Sequence, residues 1–149
     1  MNRLLNGTWV VVADGEKALF FENEGDGQYP VLRVRREETN DNPPDREQGT
    51  DKPGRMGDGR SGIGSSAEET DFHRLEKDRF AQSLADLLFK LAHKGKFDRL
   101  VIVAPPQTLG AMRPHLHKEV QAKIILEIPK TLTGMPVDQI EKNLLAELA

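Results

Sequence analysis

Residues 99–104 read RLVIVA and residues 8–13 read TWVVVA, and both runs are apolar almost without a break. A strand with one wet face would alternate apolar and polar side chains. Unbroken apolar runs of this length suit strands covered on both faces, so these two are expected side by side at the centre of a sheet. Pro105 and Pro106 end the later run, because proline lacks the N–H that a ladder needs.

The flanking sequence supplies the rest of the sheet. Residues 17–22 (KALFFE) follow the first run after Asp14-Gly15, a dipeptide suited to the positive φ angles of a tight hairpin. Residues 31–37 (VLRVRRE) alternate apolar and basic side chains, as an edge strand does. Phe80, Leu84, Leu87, Leu88 and Leu91 then form one stripe of a long helix, with Arg79, Gln82, Ser83, Asp86, Lys90 and His93 opposite. Ser65 and Ser66, each three residues before a glutamate, suit the start of that helix, and Gly95 suits its stop. A second helical segment runs from about Gln107 and is interrupted near Pro114. A strand at 123–128 (KIILEI) follows, and Pro136 opens a last helix on which Val137, Ile140, Leu144 and Leu148 share a face. The order β-β-β-α-β-α-β-α, with right-handed crossovers, gives an α/β fold. Its mixed five-stranded sheet carries three main helices in the ribonuclease-H-like order.

The chain's 149 residues suffice for a single domain over 1–149. A net charge of −3 removes the general attraction expected of a domain dedicated to duplex nucleic acid, although a local basic patch is compatible with it. The absence of cysteine excludes disulfides, thiolate zinc sites and cysteine nucleophiles. The first apolar run is too short for a signal peptide core or a membrane span, so a cytoplasmic protein is expected. Residues 39–67 carry six glycines and three prolines with almost no large apolar side chains, which predicts a flexible loop.

Within that loop, residues 57–62 read GDGRSG, a literal G-x-G-x-x-G. In a dinucleotide fold this motif follows a buried strand directly and opens a helix, and here neither neighbour is in place. No nucleotide cofactor, and no cofactor of another kind, is expected. The carboxylates of a two-metal nuclease are incomplete as well: Asp14 ends the first strand and Glu76 or Asp78 lies on the helix, but RLVIVAPP brings no acid to the fourth strand. His115 and His117 diverge by about 200° if helical, so they form no metal pair. Neither a metal site nor a catalytic residue is assigned.

Two groups are candidates for binding. Gln107, Thr108 and Arg113 follow the carboxyl end of a buried strand, where open α/β sheets place ligand crevices and a helix start presents free amides. The competing reading is that the prolines only shape the turn, with Thr108 as a cap. Arg60, Ser61, Ser65, Ser66, His73 and Arg74 gather at the junction of loop and helix, where His73 and Arg74 suit phosphate.

VVADGEKALFFE, PGRMGDGRSGIGSSAEE, LVIVAPPQTLGAMRPHL and EIPKTLTGMPVDQI together closely resemble the bacterial host attachment protein family over nearly the whole chain. That family is similar to the middle domain of archaeal and eukaryotic peptide-release factors. There a loop before a long helix carries a Gly-Gly-Gln tip that enters the peptidyl-transferase centre and helps water cleave peptidyl-tRNA. The equivalent stretch here reads RSGIGSSAEE, and Gly-Gly-Gln occurs nowhere in the chain. The resemblance implies a ribosome or tRNA partner, with phosphate contacts from Arg55, Arg60, Arg74, Lys77 and Arg79, or else a protein partner. The leading expectation is a non-enzymatic factor acting through such contacts. A peptidyl-tRNA hydrolase-like release or rescue factor without the tip is the alternative.

Overall fold

The computed structural model describes residues 3–40 and 66–148. Its elements are strands β1 (Trp9–Ala13), β2 (Lys17–Asn23) and β3 (Leu32–Thr39), helix α1 (Ser66–His93), strand β4 (Leu100–Val103), helix α2 (Pro106–Met112), a 3-10 turn (Arg113–His115), the one-turn helix α3 (Lys118–Gln121), strand β5 (Ile124–Ile128) and helix α4 (Val137–Leu148). The five strands form one sheet in the order β3-β2-β1-β4-β5. Pairing is antiparallel within β1, β2 and β3, and parallel from β1 to β4 and from β4 to β5. This is the ribonuclease-H-like arrangement, with α1, α2 and α4 as its substantial helices. Of the segment expected as a loop, residues 41–65 lie outside the described residues. At its two ends, Thr39 still pairs with Lys17, and Ser66 and Ala67 already belong to α1.

The two apolar runs are neighbours at the centre of the sheet, in register from Trp9↔Leu100 to Val12↔Val103, and every residue of both strands is buried. Successive side chains point to opposite faces and both faces are covered, which explains why neither strand contains a polar residue. Trp9, Val11, Phe20, Leu100 and Ile102 pack beneath Phe80, Leu84 and Leu88 of α1. Val10, Val12, Phe21, Val101 and Val103 pack on the other face beneath Ile140 and Leu144 of α4. The buried stripe of α1 also contains Ala81, Ala85 and Ala92, small residues that let the helix lie close to the sheet, while Leu87 and Leu91 fall at its half-buried margins.

The helix ends as its sequence predicts. Gly95 takes φ +75°, its N–H donates to the Ala92 carbonyl, and the Lys96 N–H donates to the Leu91 carbonyl. The hairpin between β1 and β2 is built differently from expectation. Among the described glycines only Gly7 and Gly95 have positive φ, so Gly15 does not supply a mirror-image turn. The Asp14 side chain organises the turn instead: Asp14 Oδ1 accepts from the Glu16 N–H at 2.7 Å and the Lys17 N–H at 2.8 Å. On β3, Arg33, Arg35 and Arg36 face Glu22, Glu24 and Glu38, and a bulge opposite Phe20 and Phe21 leaves Arg35 as the extra residue.

Candidate functional site

The carboxyl ends of the two central strands open into a cleft of about 870 Å³. On one side the chain leaves β1 through Asp14 and turns at Gly15 and Glu16. On the other it leaves β4 through Pro105 and enters α2, whose Gln107, Thr108 and Ala111 line the wall. The first half of α1 forms the third side with Arg74, Lys77 and Asp78, residues spaced three and four apart and therefore on one helical face.

The chemistry of this cleft is mixed. Arg74 and Lys77 have no ion-pair partner among the described residues, and both are exposed. Glu16 and Asp78 bring two carboxylates, so the cleft offers cations and acceptors together rather than a uniformly positive pocket. Thr108 is 8% exposed and its hydroxyl makes no hydrogen bond within the described residues. A group that offers both an anionic oxygen and a hydroxyl or amide suits this set, as a nucleotide's phosphate and sugar do.

Backbone amides contribute less than a helix start usually does. Pro105 is the N-cap of α2 and Pro106 its first residue, and neither has an N–H to offer. Thr108 is the third helical residue, and no side chain caps the helix, so Thr108 is a wall residue and not a cap.

The rim at Gly15 is held from two directions. A Cβ there would sit 3.1–3.2 Å from Cγ, Cδ and Cε of Lys77, so the glycine lets the lysine stem lie across the turn. Behind it, Thr133 Oγ1 donates to Asp14 Oδ2 at 2.7 Å and ties the turn to the segment before α4. Burial alone would raise the Asp14 carboxyl. The bonds from Thr133 and from the Glu16 and Lys17 amides, with the nearby Lys17 charge, outweigh it and hold the group below its ordinary value. Both oxygens of Asp14 are thereby engaged in shaping the turn. No group of three or more His, Asp or Glu side chains among the described residues is placed to hold a metal ion.

The structure brings Arg74, Gln107 and Thr108 together, along with Lys77. It separates Arg113 from them: that side chain leaves the 3-10 turn to pair with Glu127 of β5 at 2.7 Å. Proximity in sequence misled here, because the turn after α2 carries Arg113 to the edge of the sheet. Arg79 is also turned aside, 3.3 Å from Glu76. Ser66 and His73 lie on the first turns of α1. Arg55, Arg60, Ser61 and Ser65 lie outside the described residues. Sequence reading missed Gly15, Glu16 and Asp78 as lining residues. The same rule that picked out Gln107, a position just past a buried strand's carboxyl end, would have picked out the first two.

His117 caps α3, its Nδ1 accepting the Glu119 N–H at 3.0 Å, and its ring lies 4.2 Å from that of Phe89. His93 Nδ1 lies 3.4 Å from Glu119.

A mixed five-stranded sheet in the ribonuclease-H-like order, with a cleft at the root of one long helix, defines the class as an α/β domain. The chain belongs to the bacterial archaeo-eukaryotic release factor family 12, whose model matches residues 7–144. That match spans every strand and all but the end of α4. It supports the release-factor relation and does not speak to host attachment. No curated protein matches the chain. No described helix is long and apolar enough to cross a membrane.

Proposed function

We propose that the protein is a ribosome-associated factor of the release or rescue kind, whose cleft holds RNA at the root of α1. The observation that carries this reading is the convergence of Arg74, Lys77, Gln107 and the Thr108 hydroxyl, which has no partner among the described residues, beside the helix that, in the release-factor resemblance, follows the tip loop. Family membership favours it over a general protein-binding factor. Residues Arg60, Ser61, Ser65 and Ser66 belong, on this reading, to the segment that meets the ribosome. Because the chain contains no Gly-Gly-Gln, the proposal assigns it binding in the peptidyl-tRNA's neighbourhood and gives no side chain a catalytic role.

Co-sedimentation with ribosomes tests the reading. The parent should travel with ribosomes at low salt and leave them at high salt, as phosphate contacts dictate. Arg74→Ala combined with Lys77→Ala should abolish the association without lowering the melting temperature. A parent that never sediments with ribosomes, or a double variant that sediments as the parent does, refutes it. Hydrolysis of peptidyl-tRNA on stalled ribosomes, measured alongside, would restore a catalytic role if the parent released peptide.

A further inference from the structure

The chain's charge is unevenly spread: residues 88–123 hold seven lysines and arginines against two acids, within a chain of net charge −3. Three of the seven are not free, exposed cations. Arg113 pairs with Glu127, Lys123 with Asp98, and Arg99 is half-buried. The other four, Lys90, Lys94, Lys96 and Lys118, are exposed and have no ion-pair partner among the described residues. Lys90 and Lys94 lie one turn apart at the end of α1, Lys96 follows the Gly95 turn, and Lys118 opens α3, which packs against α1.

Aromatic rings lie among these cations. Phe89 stands between His117 and His93, with ring centroids 4.2 and 5.6 Å away and tilts of 36° and 32°. The His93 side chain is 71% exposed, so the stack reaches the surface there. The negative end of the α1 dipole accounts for Lys90 and His93. It does not account for Lys118 on another element, nor for rings set between the charges.

We propose that this face binds single-stranded RNA, with the four lysines taking phosphates and a base stacking on His93. An acidic protein would satisfy the lysines but has no use for an exposed imidazole plane. The patch lies at the end of α1 and the cleft near its start. Sixteen residues separate Arg74 from Lys90, roughly 24 Å of helix, so the patch stands on its own geometry and not on the cleft reading.

Fluorescence anisotropy with a labelled oligouridylate of about twelve nucleotides tests the patch on the full chain. Four phosphate contacts predict that log Kd rises with log salt with a slope of about 3. Lys90→Glu, Lys94→Glu and Lys118→Glu together should weaken binding at least tenfold and bring the slope to about 1. His93→Ala should weaken binding about fivefold with the slope unchanged. The milder triple alanine variant, folded by circular dichroism, should show the same ordering. A folded triple variant that binds within twofold of the parent overturns the proposal. So does displacement by polyglutamate as efficient as that by unlabelled RNA, combined with an inert His93→Ala, which would mark an acidic protein site. Loss of RNA binding in Arg74→Ala/Lys77→Ala with full binding by the lysine variants overturns the patch and leaves the cleft reading standing. The reverse pattern supports the patch, and ribosome co-sedimentation still decides the cleft.

Discussion

Asp14 shapes the rim of the cleft without entering it, and its removal should be felt as lost stability. In Asp14→Ala three hydrogen bonds disappear: those from the Glu16 amide, the Lys17 amide and the Thr133 hydroxyl. Glu16 is exposed, so its amide can turn to water. Lys17 is half-buried and Thr133 is 7% exposed, so these two donors are left poorly satisfied. At roughly 1 kcal/mol for each lost bond, with a further penalty for a stranded buried donor, the expected cost is about 2–3 kcal/mol. Asp14→Asn keeps an oxygen for both amides and offers an N–H to Thr133, whose hydroxyl can rotate to accept. It should cost about 1 kcal/mol or less. Urea unfolding followed by the fluorescence of the single tryptophan, Trp9, measures both. The pH dependence has a defined sign. A carboxyl held below its ordinary value of 3.8 contributes stability that is fully present above that value and is lost as pH falls through its lower folded value. Asp14→Asn should lack that part of the acid limb. An alanine variant within about 0.5 kcal/mol of the parent, or an asparagine variant as unstable as the alanine one, refutes this account of the turn.

The other predictions concern packing, two glycines and an ion pair. Leu88→Ala removes a fully buried side chain from between α1 and the sheet and should cost about 2–4 kcal/mol, read from the denaturation midpoint. At Gly25 a Cβ would overlap the Tyr29 carbonyl oxygen and lie 2.7 Å from the Val31 nitrogen, so Gly25→Ala should cost more than about 2 kcal/mol. Gly15→Ala meets only the flexible stem of Lys77, so it should cost less than about 1 kcal/mol while weakening ribosome co-sedimentation by displacing that stem. Arg113→Ala breaks a pair whose arginine side chain is 59% exposed; it should cost less than about 1 kcal/mol and leave co-sedimentation unchanged.

The sheet was legible because its central strands carry a pattern with few alternatives. After Thr8 and Arg99, TWVVVA and RLVIVA are apolar at every position on both faces, and only a covered centre accommodates that. Gly95 was legible for a similar reason, since a helix stop rewards a residue that takes positive φ. The turn at Asp14 was not, because Asp-Gly is compatible with two turn chemistries. What favours the side-chain version includes a hydroxyl 119 residues away, at Thr133. The cleft was half legible. Gln107 and Thr108 follow a strand end and could be placed, whereas the separation of Arg113 depends on a 3-10 turn whose direction no local spacing encodes. The alanines of α1 escaped notice because an apolar stripe is usually counted by its large residues. Here the small ones set the distance between helix and sheet.

An open sheet can in principle accept another strand, and at β3 the consequence lies in how concentrated protein behaves. A chain adding to this edge would have to strip water from Arg33, Arg35, Arg36 and Glu37 and follow the bulge beside Phe20. Those side chains guard a run that is otherwise rich in strand-forming residues. Arg33→Val and Arg35→Val together would turn residues 31–35 into VLVVV, five apolar residues without a charge on an exposed edge. Two substitutions that touch neither the core nor the cleft would thus convert a soluble boundary into a template for fibrils.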